Sequence, residues 1–256
     1  LSHTLSALYY NKKVPAVSVI VDGFGDESCT SIHHVKSSNE IENLWNSSYP
    51  NSLGLFYSAI TDFLGFAVNE GEYKVMGLAA YGKPKYYDKL VKTISFKDGN
   101  LLLDDSYYDF VRSVSKSYSS KIKQIFEISE RDSNSKLDLD SKDFTIYADI
   151  ASSAQKVVEK TLEQIFLHAN KISGEKRFLF SGGVAMNSVA INKLTNLDFI
   201  DEIIIPPSPG DSGAAIGAAY YGYIKNNNNE LDFKKQRTEN LTPGFKKEDF
   251  NDEDFF

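Results

Sequence analysis

The feature that most restricts how this chain can fold is a pattern that occurs twice in residues 177–223. Residues 177–180 (RFLF) form a short apolar run, Gly182-Gly183 interrupts it, and 184–194 resumes with helical spacing. Residues 200–205 then lead through Pro206, Pro207 and Gly210 into the small-residue run 210–223. Strand, glycine loop, helix, repeated once, predicts an α/β sheet whose ligands lie beyond the carboxyl ends of its strands. A further strand end of this kind is predicted upstream. Residues 14–21 (VPAVSVIV) are rich in β-branched side chains and stop at Asp22-Gly23, as a buried strand entering a turn would.

The remaining segments fit around that sheet. Residues 28–35 read as the returning strand, followed by a polar stretch to Tyr49-Pro50. Ser52 is placed to cap a helix running to 63, and a shorter helix over 72–80 closes at Gly82-Lys83-Pro84. A long amphipathic helix is predicted over 144–172, with Ile150, Ala154, Val157, Val158, Thr161, Ile165 and Leu167 near one stripe. Between about 94 and 141 the chain is polar, Ser-rich and Tyr-rich and reads as a variable insertion. Four asparagines at 226–229 open a charged stretch to 256 with the composition of a linker.

Composition excludes several functions. A net charge of −7 and a pI near 5.2 argue against a surface that tracks nucleic-acid phosphates. A single cysteine, Cys29, rules out an internal disulfide framework and suits a reducing compartment. No apolar run is long enough to span a bilayer and no export signal is present. The expected location is cytoplasmic. The sequence lacks a G-x-x-x-x-G-K-[ST] loop, an H-E-x-x-H helix and a G-x-S-x-G elbow, which removes the corresponding nucleotide, zinc and serine chemistries.

Four stretches have the residue types a reaction site needs. Gly182 and Gly183 after a strand suit either phosphate binding or a tight strand-to-helix turn. Asp211 opens the run GDSGAAIGAA, in which it suits a helix cap, while Gly213 and Ala214 permit close approach of a ligand or of another helix. Asp22 is a carboxylate at a strand end, though Asp-Gly is also a plain turn signal. Glu72 and Lys74 point to different faces of their helix and do not form a simple surface pair. His33 and His34, adjacent in a strand, face opposite ways and read as structural. His168 reads as a surface or boundary residue, and His3 taken alone is equally unremarkable.

Six blocks, in order, resemble a known family: LSHTLSA (1–7), VDGFGDESCTS (21–31), SLGLFYSAITDFLGF (52–66), NEGEYKVMGLAAYGKP (69–84), FSGGVAMNSVA (180–190) and PSPGDSGAAIGAAYY (207–221). They are similar to the carbamoyltransferases of the NodU, CmcH and TobZ type. The resemblance implies a duplicated actin-like ATPase fold (ribonuclease H-like, ASKHA) of the Kae1-like branch, truncated at its N-terminal side. Residues 1–50 would be the remainder of a first lobe, 51–225 a second lobe with the insertion at 94–141, and 226–256 a linker toward a YrdC-like domain. The activity it implies is O-carbamoylation: carbamoyl phosphate and ATP give carbamoyladenylate, whose carbamoyl group passes to a hydroxyl of a small-molecule or sugar acceptor.

The resemblance also implies a divalent metal, reported as iron, held by His3, Asp22 and Asp211 together with a histidine four residues before His3. Gly182, Gly183 and Asn187 would line the phosphate or ribose of the nucleotide, and Gly213 and Ala214 would approach it. Lys74 and Glu72 would face the carbamoyl or phosphate group, with Asp22 first a metal anchor and second a base. No nucleic acid or membrane is expected as a partner, and a homodimer is one option for assembly. Without its other parts the isolated segment is expected to turn over little. Two other readings are threonylcarbamoyl transfer to tRNA, which the acidic charge disfavours, and a nucleotide-binding actin-fold domain without transferase activity.

Overall fold

The computed structural model describes residues 1–226 apart from 12, 27, 98, 114 and 115. Beyond residue 226, the linker expected over 226–256 lies outside the described residues. In chain order the elements are α1 (Ser2–Tyr10), β1 (Ala16–Val21), β2 (Thr30–Val35), β3 (Ile41–Ser47), α2 (Leu53–Phe63), α3 (Glu72–Ala79) and the single turn α4 (Tyr87–Leu90). The hairpin β4 (Ile94–Lys97) and β5 (Asn100–Leu103) follows, then α5 (Ser120–Phe126), α6 (Lys142–Ser173), β6 (Arg177–Ser181), α7 (Ser188–Leu194), β7 (Glu202–Ile204) and α8 (Asp211–Asn226).

Five strands form one sheet in the order β3-β2-β1-β6-β7. β1, β2 and β3 pair antiparallel, whereas β6 lies parallel to β1 and β7 parallel to β6. This order and these directions define a ribonuclease H-like sheet, the unit on which actin-like ATPase folds are built. Among the described residues one such sheet runs across the boundary expected at residue 50. Val17 pairs with Phe178 and Ile20 with Ser181, so the strands before and after that point share one sheet. Such a long-range parallel pairing leaves no local sequence trace.

β1 is buried along its whole length, the reason it reads as a continuous β-branched run and not as an alternation. One face, with Val17, Val19, Val21, Phe178 and Phe180, packs in the larger core with α2 and α6. The other, with Ala16 and Leu179, packs under Leu5 and Leu8 of α1 and Tyr220 and Ile224 of α8. β3 falls in the stretch expected to be merely polar: it is the sheet's edge strand, largely exposed, and lacks an apolar face to betray it.

Local signals set the helix ends. Ser52 caps α2 by accepting from the Leu55 N–H (3.1 Å), as the sequence predicts. Ser141 caps α6 through the Phe144 N–H, and Gly174 ends that helix in the left-handed conformation (φ 77°). The helix expected over 184–194 is broken in two. Gly183–Met186 make one 3-10 turn, and Asn187 caps α7 by accepting from the Ala190 N–H. The described residues of 94–141 include the β4–β5 hairpin and α5. The segment is tied to α2 by buried Arg131, whose guanidinium donates to the Leu64 and Gly65 carbonyls at that helix's end (2.6 and 3.0 Å). Among the described residues no helix is long and apolar enough to cross a membrane.

Candidate metal and nucleotide site

β1 ends at Val21, and the connection to β2 begins with Asp22, whose N–H donates to the Cys29 carbonyl (2.8 Å). One carboxylate oxygen, Oδ1, accepts from the Gly23 N–H (2.7 Å). That leaves Oδ2 directed toward α1, where His3 Nε2 lies 3.2 Å away. The turn is pinned from below by Ser52, whose hydroxyl lies 2.7 Å from the Gly23 carbonyl and 3.0 Å from that of Asp22. Gly54, the second residue of α2, lets the helix seat there: a methyl group on it would stand 2.6 Å from the Gly23 nitrogen.

The third member arrives from the other side. Asp211 is the first residue of α8, and its Oδ1 lies 3.4 Å from His3 Nε2. α1 and α8 can lie that close because of Gly217. A methyl there would sit 1.8 Å from the Ser2 carbonyl oxygen, so any other residue forces the helices apart. Gly182 has a similar duty at the end of β6. Its φ of +94° is rare for residues with a side chain, a methyl would fall 2.2 Å from the Val21 carbonyl oxygen, and its N–H donates to the Pro209 carbonyl (2.8 Å). It stitches the β6 turn to the start of α8 and to the end of β1.

His3 and Asp22 side chains are mostly buried (17% and 18% exposed), while Asp211 is open to solvent at 85%. Ligand atoms of these three residues all lie within 4.8 Å of one another. Donors held at roughly 2.1 Å from one ion stand about 3.0 Å apart in octahedral and about 3.4 Å apart in tetrahedral geometry. The observed 3.2 and 3.4 Å fall in that range. One imidazole and two carboxylates suit Fe(II), Mn(II) or Zn(II), so the residues present fit a divalent metal and leave coordination positions open.

The other sequence-predicted residues sort clearly. Gly183 borders the trio: a methyl on it would stand 3.2 Å from Asp22 Oδ1. Gly213, in the first turn of α8, is buried against the Ser208 carbonyl, and Ala214 beside it is half-buried. Asn187 is placed differently from expectation. Its Oδ1 accepts from Ala190 N–H and Gln155 Nε2, and its Nδ2 donates to Gln155 Oε1 (2.9 Å). Its amide therefore braces α6 against α7. Glu72 stands outside the trio, with Oε1 accepting from the Ser58 hydroxyl and the Asn69 N–H. Lys74 is exposed, its ammonium over the Phe66 and Tyr73 rings (5.8 and 5.7 Å).

Sequence reasoning missed Gln155. It is a polar residue on the buried stripe of α6, and that mismatch was the available signal. Its Oε1 also accepts from Tyr57, whose phenol burial holds well above its usual range and so keeps as a neutral donor. Gln155 further lines a cleft of about 540 Å³ between α3, α6 and α7, with Met76, Ala80, Glu159, Val189 and Lys193 on its walls.

A ribonuclease H-like sheet with His3 of α1, Asp22 beyond β1 and Asp211 of α8 brought together beside it defines an α/β domain with three potential ligand groups at one point. Residues 1–220 match the family described as Carbamoyltransferase N-terminus, and the chain belongs to that family. An uncharacterized protein of Synechocystis sp., sll1178, is 34% identical over 230 residues, covering 88% of this chain and 36% of that protein. The nodulation protein NolNO of Sinorhizobium fredii is 30% identical over 220 residues, covering 86% and 30%. NolO of Bradyrhizobium diazoefficiens is 31% identical over 218 residues, covering 85% and 36%. The chain thus spans about a third of the length of these relatives.

Proposed function

We propose that this chain forms the carbamoyl-transfer part of an O-carbamoyltransferase, binding carbamoyladenylate beyond β1 and β6 and passing its carbamoyl group to a hydroxyl of a small molecule or sugar. The convergence of His3, Asp22 and Asp211 on one point carries this reading. A divalent metal, Fe(II) by family resemblance, would supply Lewis-acid polarisation of the phosphoryl or carbamoyl oxygen. The chain's own residues do the rest. His3, Asp22 and Asp211 would anchor the ion. Gly183, with no side chain over the trio, leaves room for phosphate oxygens. The cleft lined by Gln155 has the volume of a small-molecule site, and Gln155 is hydrogen-bonded to Asn187, four residues after the Gly182-Gly183 turn; we assign the nucleoside to it.

In the transfer, the acceptor oxygen bonds to the carbamoyl carbon and the bond from that carbon to the adenylate phosphate breaks. AMP leaves with the bonding pair, and its phosphate takes the hydroxyl proton. Carbamoyladenylate itself would come from carbamoyl phosphate and ATP on a YrdC-like domain of the full-length protein. Lys74 is assigned to the carbamoyl or phosphate side, with Glu72 shaping the start of α3 beneath it.

Mass spectrometry of acceptors incubated with full-length protein, ATP and carbamoyl phosphate is the test. A product heavier by about 43 Da, one carbamoyl group replacing one hydrogen, is expected. It should vanish in Asp22→Asn and Asp211→Ala. No gain over a broad hydroxyl panel would overturn the reading.

A further inference from the structure

We propose that Thr4 is a positioning residue for His3: its hydroxyl, held between Ser18 of β1 and His33 of β2, fixes the rotation of α1 and with it the aim of the His3 imidazole. This rests on the reading of His3, Asp22 and Asp211 as metal ligands.

Thr4 Oγ1 lies 3.0 Å from Ser18 Oγ and 3.2 Å from His33 Nδ1. Thr4 and Ser18 are fully buried and His33 nearly so, at 6% exposure. Three polar side chains from three elements meet where an apolar β-branched residue would fill the same space, and burying them is costly unless they bond one another. What the hydroxyl adds over a methyl is direction. Burial also lowers the His33 pKa to about 4, so its ring enters the network uncharged near neutrality.

The placement of this network ties it to the site. Strand side chains alternate, so Ser18 and Asp22 at the end of β1 share the face turned to α1. Consecutive residues of α1 therefore contact two points on that face: Thr4 reaches Ser18, and His3 reaches Asp22. Two such contacts fix both the rotation of a rigid helix and its position along the strand. The first turn of α1 has no side-chain cap, and the close approach of Gly217 to the Ser2 carbonyl sets its distance from α8. Leu5 and Leu8 give α1 apolar packing, which tolerates rotation more readily than a hydrogen bond does.

The test titrates metal-free full-length protein with Co(II), reading affinity and the visible absorption spectrum of the bound ion. Thr4→Val is expected to weaken binding about tenfold and to alter the spectrum, while Thr4→Ser, which keeps the hydroxyl, returns both to within about twofold of wild type. Thr61→Val, which removes another buried hydroxyl (2.9 Å from the Tyr57 carbonyl) from α2, should lower stability and leave affinity and spectrum unchanged. If Thr4→Val fails to fold, Ser18→Ala takes its place with a smaller loss in the same direction. A folded Thr4→Val, or Ser18→Ala in its stead, with wild-type affinity and spectrum overturns the proposal and leaves the metal reading standing. Wild type and Asp211→Ala binding Co(II) alike would remove the metal reading, and this proposal with it.

Discussion

The strand-end site and the 94–141 segment are both well packed, but they are held by different kinds of contact. At the site, backbone meets backbone: Gly217 against Ser2, Gly182 against Val21, Gly54 against Gly23. In the segment, one close backbone approach, Gly65 against Arg131, is joined by side chains that reach to backbone: Arg131 to the end of α2, Asp62 to the Ser117 N–H, and the Trp45 indole to the Gly99 carbonyl at the hairpin turn. The first kind admits almost no substitution and fixes atoms within tenths of an ångström. The second admits many solutions. The strand-end turns are held chiefly the first way, and the 94–141 segment chiefly the second.

Changes that separate stability from site geometry can break this contrast. The largest effect is expected for Gly217→Val, which drives a side chain into the Ser2 carbonyl. It should cost about 3 kcal/mol in denaturant unfolding and abolish metal binding, because α1 carries His3 away from Asp211. Arg131→Ala is the counterpart in the 94–141 segment. It should cost about 2 kcal/mol by stranding carbonyls at the end of α2. The Ser52 end of that helix is about 16 Å away along the axis, so Co(II) affinity should stay near wild type. A large loss of affinity would show that the two regions are coupled.

Gln155→Ala is intermediate, since it removes the brace between α6 and α7. A loss of about 1–2 kcal/mol is expected, with weaker binding of a fluorescent ATP analogue and no change in metal affinity. The smallest effect belongs to Lys36→Ala. Its ion pairs with Glu40 and Glu42 are exposed, and neither the unfolding midpoint nor metal binding should move measurably.

The same contrast explains what the sequence disclosed. Asp22, Gly182, Gly183 and Asp211 stand at glycine-marked strand ends, and the positive φ of Gly182 is the kind of local requirement that is visible in a sequence. His3 alone looked unremarkable. Its place beside Asp211 depends on α1 lying against α8 through Gly217, a contact between residues far apart in the chain, and only family resemblance singled it out. The pairing of β1 with β6 was hidden for the same reason, which is why the lobe boundary expected at 50 fell inside a single sheet. β3 was missed because an exposed edge strand has no apolar periodicity. Asn187 was singled out by motif position, which does not show the contacts of its side chain with the Ala190 N–H and Gln155.

The central claim is that His3, Asp22 and Asp211 form one metal site. Calorimetric titration of metal-free full-length protein with Mn(II), beside Asp22→Asn and Asp211→Ala, tests it most directly. The account predicts a binding event in the wild type that is lost in both variants while their circular dichroism stays native. Folded variants that bind the ion as the wild type does would contradict it.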